Sequence, residues 1–342
     1  MPIARFRRPK AFTTTINVTE PDPAVLRQRL VAYLRRVGTL TDPAVERALL
    51  TVPRELFVAP LAARHGLQAV YRDRAIVTKR DALGRPTSSS SQPRIMAAML
   101  QQLQVRPGQR VLEVGAGSGY NAALLATLVG PGGLVVSVEL DDQVARSARV
   151  ALARGGYRVQ VVTGDGRHGC AAQAPFDRII VTASTDDVPR AWFDQLVVGG
   201  RLVLPLRLGR RWFLPQAVVA LRRTAVGLES VAMVPGAFMA LRRPPATRRV
   251  PGVAARSASS RRPGTLGGAA RGAARRLLQP LLLMGLYGLT APLAWLPGLG
   301  ELRVVVTYAD QQQPGAGLRL CRDEATILLT WHPRRGRSQR VW

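Results

Sequence analysis

The sequence predicts an α/β fold built on a doubly wound parallel sheet, and three observations carry that prediction. Short apolar strands alternate with amphipathic helical segments through the middle of the chain, the pattern of a parallel sheet covered on both faces. The first of these strands runs into a glycine-rich turn that opens a helix. The ends of the next two strands carry acids, Glu139 and Asp165.

Taken in order, residues 1–20 read as a basic tail and residues 21–104 as a region of N-terminal helices and a substrate loop. From Asp22 to Leu50 the spacing is helical, with Val25, Leu26, Leu30, Tyr33, Leu34 and Val37 on one face. Thr41-Asp42-Pro43 is a helix start, with proline early in the first turn. Residues 64–92 are polar and turn-rich and are expected as loop; the amphipathic run RIMAAMLQQL follows. The α/β core is placed at residues 105–241. Its strands are expected at Arg110–Val114, Leu134–Glu139, Val159–Thr163, Phe176–Thr182 and Arg201–Leu206, its helices at Tyr120–Val129, Asp141–Arg154 and Val188–Leu196. Ala217–Leu221 and Ser230–Val234 read as further strands. Residues 242–276, with ten arginines and no acid, read as a linker. Residues 277–342 read as a small C-terminal appendage with strands at Glu301–Tyr308 and Ala325–Trp331. Within it Leu277–Leu299, 23 residues, is long enough to span a bilayer behind its basic flank. Pro280, Pro292 and Pro297 favour instead a pair of short helices packed on the core, so membrane association is the second reading.

Composition narrows the function classes. The 342 residues are 47% hydrophobic and 20% charged, enough to bury a core. Two cysteines exclude a disulfide scaffold, and three scattered histidines argue against a zinc site, so no metal is expected. The basic N-terminus is not followed by an apolar run, so it does not read as a secretory signal, and a reducing cytoplasmic setting is expected. The net charge of +28 would ordinarily raise nucleic acid or an anionic membrane as partner. Its distribution weakens that: +10 on residues 1–104, +1 on 105–205, +4 on 206–241 and +13 on 242–342. The centre is nearly neutral, and 47 of the 49 basic residues are arginine, as GC-rich coding would produce. No aromatic-rich basic strand is visible, and no specific nucleic-acid partner is expected.

The chemistry concentrates in Val111-Leu-Glu-Val-Gly115-Ala-Gly117-Ser-Gly119-Tyr120. Glycines there allow a tight turn and close backbone approach to a ligand at a helix N-terminus. The spacing is G-x-G-x-G, with Tyr120 where the dinucleotide fingerprint has its third glycine. Glu139, with Leu140 beside it, stands where a ribose hydroxyl is gripped, and Asp165-Gly166 could receive an adenine amine. The three elements on successive strand ends fit S-adenosylmethionine and a class I S-adenosylmethionine-dependent methyltransferase core, Rossmann-like and doubly wound. Glu113, an acid inside an apolar strand, either orients the glycine loop, or meets the methionine end of the cofactor through water, or is purely structural.

The sequence resembles the protein-L-isoaspartate (D-aspartate) O-methyltransferases over about residues 25–240. The resemblance is carried by Val52-Pro-Arg-Glu-Leu-Phe-Val58, by Ser90-Ser91-Gln92-Pro93, by VLEVGAGSGYNAALLA, SVE, GDG and FDRIIVTA, and by Gly199-Gly200-Arg-Leu-Val-Leu-Pro205. It implies methyl transfer from S-adenosylmethionine to the free α-carboxylate of isoaspartyl residues in proteins or peptides; the ester then collapses to a succinimide. It implies Ser91 as the active-site serine, with Ser90, Gln92, Thr182 and Ala183 lining the isoaspartyl site. Members typically end near residue 240, and related enzymes with C-terminal extensions methylate one aspartate of a ribosomally made peptide. Three readings therefore compete: isoaspartyl repair, a dedicated peptide substrate, and a nucleic-acid or anionic-surface binder on a methyltransferase scaffold.

Overall fold

The computed structural model describes residues 21–207 and 216–244, the backbone of four strands between 303 and 341, and the side chain of Val306. The basic tail and the apolar run Leu277–Leu299 lie outside the described residues. The helices begin where the sequence supplies caps. In α1 (Pro23–Arg36) the Asp22 carboxylate accepts from the Ala24 amide at 2.8 Å, and in α2 (Pro43–Thr51) Asp42 accepts from Ala44 at 2.7 Å. Each proline occupies the first turn, where no amide is needed. A 3-10 turn (Arg54–Val58), α3 (Ala59–His65) and α4 (Leu67–Val70) follow.

The segment expected as loop holds a hairpin instead. β1 (Ile76–Arg80) pairs antiparallel with β2 (Pro86–Ser90). Ile76-Val77-Thr78 favours extended backbone, and the turn is built by Asp81, whose carboxylate accepts from the amides of Leu83 and Arg85, each at 2.9 Å, beside Gly84 at φ +74°. The strand was hidden because serines stand on both of its faces, so no apolar alternation marks it.

α5 (Pro93–Leu103) leads into the core: β3 (Arg110–Val114), α6 (Tyr120–Val129), β4 (Leu134–Glu139), α7 (Asp142–Arg154), β5 (Gln160–Thr163), β6 (Phe176–Val181), α8 (Arg190–Gln195), β7 (Leu196–Arg207), β8 (Gln216–Arg223) and β9 (Gly227–Pro235). β3 to β7 pair in parallel in the order β5-β4-β3-β6-β7, and β8 and β9 continue antiparallel. The winding reverses at β3, which makes the crevice at the carboxyl ends of β3 and β6 the place where such a sheet binds ligands. One apolar cluster packs α1, α2, α5, α6 and α7 on one side; the other packs Trp192 and Phe193 of α8 against Leu112, Val114, Val136 and Val138.

The C-terminal strands do not form a separate appendage. β10 (Arg303–Thr307) pairs with β9, and β11 (Ala316–Arg322), β12 (Ala325–Trp331) and β13 (Ser338–Val341) extend the same sheet to eleven strands. β11 and β13 escaped the sequence reading because arginine and glycine interrupt their alternation. Among the described residues no helix is long and apolar enough to cross a membrane.

Candidate active site

Two walls face each other across the crevice. The first is built by the loop after β3. Gly115, Gly117 and Gly119 have φ of +99°, +53° and +88°, a region that side-chain-bearing residues avoid. Gly115 has a second reason to lack a side chain: a Cβ would lie 2.5 Å from Thr182 Oγ1, whose hydroxyl donates to the Gly115 carbonyl at 2.7 Å. At the end of β4 Glu139 is locked to this loop. Its carboxylate accepts from the Gly117 amide at 3.1 Å and the Asp141 amide at 3.0 Å. A carboxylate accepts about four hydrogen bonds, so Glu139 keeps acceptor sites for a ligand.

The second wall is the end of β2 and the start of α5. The Gln92 side chain is spent on Asp73, donating to its carbonyl at 3.1 Å and its carboxylate at 3.0 Å, and the Arg94 amide donates to the same carboxylate at 2.8 Å. This fixes the chain immediately after Ser91. Ser90 Oγ and Thr87 Oγ1 are buried and have no hydrogen-bond partner among the described residues. The walls touch where a Cβ on Gly117 would lie 3.1 Å from the Ser89 carbonyl.

Together they enclose a cleft of about 1040 Å³. Ser90, Ser91, Gln92, Gly115, Gly117, Glu139, Leu140, Gly166, Thr182 and Ala183 line it; Glu113, Gly119 and Asp165 do not. Gly119 caps α6 and packs on Ala148 and Leu152 of α7. Glu113 lies fully buried beneath the floor, accepting from Asn121 Nδ2 at 2.8 Å and sharing a short hydrogen bond with the Ser137 hydroxyl. Burial pushes its carboxyl up to about 7 against those two bonds, which pull it down. Asn121 lines the cleft, so Glu113 bears on the site through that side chain. Asp165 is engaged by Arg167, whose Nε and Nη2 lie 3.0 and 2.5 Å from its two oxygens. It also caps the turn that places Gly166 in the cleft wall. Burial alone would raise its pKa; the Arg167 hydrogen bonds and charge hold it below the ordinary carboxylate range.

The sequence model of the protein-L-isoaspartate(D-aspartate) O-methyltransferase family matches residues 26–235. The chain belongs to that family. Two relatives described as protein-L-isoaspartate O-methyltransferase, from Methanopyrus kandleri and Hyperthermus butylicus, are 43% and 40% identical to it. These matches cover 53% and 63% of this chain, and 76% and 88% of theirs. A solved protein-L-isoaspartate O-methyltransferase has the same fold, with TM-score 0.58 and 24% identity over 92% of this chain and 99% of its own. A Plasmodium falciparum structure of that description, in complex with S-adenosyl-L-homocysteine, is 19% identical with TM-score 0.52, covering 63% of this chain and 98% of its own.

Seen as an isoaspartate methyltransferase site, the cleft includes two supports that residue-by-residue reading of the sequence missed. Arg54 is fully buried; its Nη2 donates to the carbonyls of Ser91 at 3.0 Å and Arg74 at 3.3 Å, and its guanidinium lies 5.3 Å from the centre of the Tyr120 ring. Burial lowers its pKa, with Tyr120 and Asp73 opposing. The signal was an arginine inside the apolar run Val52–Val58, a placement costly without a carbonyl or ring to receive it. Lys79 of β1 reaches across to Asp141, 2.8 Å from both carboxylate oxygens, and ties the hairpin to the loop after Glu139. Nothing local in the sequence marks that pair, which is 62 residues apart.

Proposed function

We propose that this chain transfers the methyl group of S-adenosylmethionine to the free carboxylate of L-isoaspartyl or D-aspartyl residues in proteins and peptides, initiating their repair through a succinimide. The observation that carries the reading is the contact between the walls: the serine-rich end of β2 lies directly on the glycine loop, which sets a hydroxyl-bearing substrate wall against an acid-bearing cofactor wall. The residues fit the cofactor, since Glu139 retains acceptor sites, and Gly115 and Gly117 expose backbone without side chains. When bound, S-adenosylmethionine supplies an activated methyl group on a sulfonium.

Glu139 would hold the ribose hydroxyls of the cofactor, and Leu140 and Gly166 would wall its adenine. Asp165 steadies the Gly166 turn and offers adenine only an oxygen shared with Arg167. Ser91 donates its hydroxyl to one oxygen of the substrate carboxylate, aiming the other at the methyl carbon. Ser90, Gln92, Thr182 and Ala183 shape the surrounding pocket. A carboxylate is ionised at neutral pH, so no general base is required of the protein; its work is alignment and exclusion of water. With the cofactor bound, attack of that carboxylate oxygen on the methyl carbon would give the methyl ester and release a neutral thioether. A dedicated peptide substrate, and nucleic acid or an anionic surface, are the alternatives that family membership does not favour.

Labelled S-adenosylmethionine incubated with unrelated isoaspartyl peptides tests the proposal. Base-labile label should enter each of them and spare the matched aspartyl peptides. Absence of transfer to every one of them overturns the repair reading.

A further inference from the structure

The cleft is longer than methyl transfer to a single side chain requires. Its volume of about 1040 Å³ includes the cofactor side at Gly115, Gly117 and Glu139, and the cleft continues past Ser91 beyond that side. It runs along α5: its lining includes Gln92 at the N-terminus of that helix, Ile95 and Gln102 on its flank, and Gln104 at its C-terminal cap. The opposite side is β9, with Val231 and Val234. Eleven helical residues at 1.5 Å each make this groove roughly 16 Å long. An extended peptide rising about 3.3 Å per residue covers that distance in about five residues.

At the far end Arg201 lines the groove, with Arg178 and Arg222 outside the lining on the neighbouring strands. Arg178 of β6 stands in register with Arg201 of β7, and Arg201 with Arg222 of β8. Neighbouring strands lie about 4.8 Å apart, so three like charges stand side by side, an arrangement that by itself destabilises a sheet. The C-terminus of α5 offsets part of this: Arg201 Nη1 donates to the Gln102 carbonyl at 3.0 Å and Arg178 Nε to the Gln104 carbonyl at 3.1 Å. Among the described residues neither Arg178 nor Arg201 makes an ion pair, and Arg222 has only Glu229 at 4.0 Å. Burial lowers the pKa of both Arg178 and Arg201; Arg201 adds to this at Arg178, and Arg222 at Arg201, as expected of crowded cations. Arg201 lines the groove, and beside it Gln102 Oε1 is buried with no partner among the described residues.

We propose that the groove along α5 seats the substrate backbone and ends in an anion subsite at Arg201, flanked by Arg178 and Arg222, which selects isoaspartyl peptides bearing an acidic side chain about five residues from the methylated group. The proposal rests on the isoaspartyl reading for the position of the methylated group, while the subsite itself is a peptide-binding feature that can be measured without turnover.

The test uses the full chain and isoaspartyl peptides carrying a single Glu, or Gln in its place, at successive distances on either side of the isoaspartyl residue. KM and kcat are measured, together with peptide binding by fluorescence anisotropy in the presence of S-adenosylhomocysteine. Glu at about five residues on one side should lower KM and Kd about three- to tenfold relative to Gln and leave kcat unchanged. Arg201→Gln should abolish that difference between Glu and Gln peptides, and the wild-type difference should shrink in high salt. An advantage of Glu that is equal at every position would assign the effect to the protein's overall charge and overturn the subsite. So would an Arg201→Gln variant that weakens Glu and Gln peptides alike, since the arginine would then serve only to cap α5. The positional series on the wild-type chain decides the matter even if the variant does not fold. Position-dependent binding without methyl transfer would overturn the isoaspartyl reading and leave the subsite standing.

Discussion

The two walls of the cleft are held in opposite ways. On the cofactor wall, Glu139 is bonded to Gly117 and Asp141, Thr182 to Gly115, and Glu113 to Ser137 and Asn121. On the substrate wall the backbone is anchored, through Arg54 to Ser91 and through Gln92 to Asp73, yet the hydroxyls of Ser90 and Thr87 are buried without partners among the described residues. Groups already paired within the protein present fixed geometry and reorganise little when a ligand arrives. Unpaired hydroxyls carry a desolvation cost that an arriving polar ligand relieves. One wall is thus preorganised for a cofactor that is the same in every turnover, and the other leaves hydrogen-bonding capacity for a carboxylate whose protein context changes.

The strongest way to break this contrast is at Ser91. Ser91→Ala should reduce kcat on an isoaspartyl peptide by about 10²-fold, the cost of losing one positioned donor. Calorimetric affinity for S-adenosylhomocysteine should stay within about twofold of wild type. A comparable loss of cofactor affinity would show that the walls do not act separately.

Glu113 measures what the cofactor wall costs. Its folded pKa of about 7 lies above the unfolded value of about 4.3. Between those values the native state holds the extra proton, so stability declines as pH rises through that window, by about 4 kcal/mol in all, and the decline ends about one unit above pH 7. Glu113→Gln should flatten this dependence between pH 5 and pH 8 in urea unfolding. An unchanged slope would mean that the carboxyl is charged throughout.

Glu139→Gln keeps an acceptor for the Gly117 amide but removes the charge and one acceptor oxygen. Affinity for S-adenosylhomocysteine should fall about tenfold, with peptide KM nearly unchanged. A peptide KM that rose in step would place Glu139 at the boundary between the walls.

The contrast also follows what could be read in the sequence. The cofactor wall is written locally: Gly115, Gly117 and Gly119 follow a strand within five residues, and Glu139 and Asp165 end strands whose apolar runs are plain. The five parallel strands and their helices were legible for the same reason, because burial on both faces leaves continuous apolar stretches. The substrate wall depends on long-range partners. β2 is polar on both faces, and Arg54 meets Ser91 37 residues away. Even on the cofactor side, Asp165 looked available for adenine because its competitor Arg167, two residues on, became a partner only through the shape of the turn. The C-terminal strands looked separate because the register of β10 against β9 spans more than seventy residues of sequence.

The smallest expected effect falls on a charged link between the two walls. Lys79 lies 2.8 Å from both oxygens of Asp141, and the two side chains are 29% and 18% exposed. A partly exposed pair contributes about 1 kcal/mol or less. Lys79→Met should therefore lower Tm by only a few degrees, with the wild-type advantage shrinking in 0.5 M salt. The link joins the substrate hairpin to the loop that orients Glu139, so its loss should appear more clearly in kinetics: faster release of S-adenosylhomocysteine, severalfold, with the chemical step in a single turnover unchanged. Burial works to raise the Asp141 pKa, and the Lys79 hydrogen bond and the helix-capping amide bring it below the ordinary carboxylate range. The stability from this pair is present at neutral pH and is lost as pH falls through that lowered value. Lys79→Met should remove that acid-side dependence, whereas Asp141→Asn would also disturb the cap of α7 and lower Tm further. If the two variants released the product at wild-type rates, the Lys79–Asp141 pair would not hold the hairpin to the cofactor loop, and the walls would be joined by shape rather than by charge.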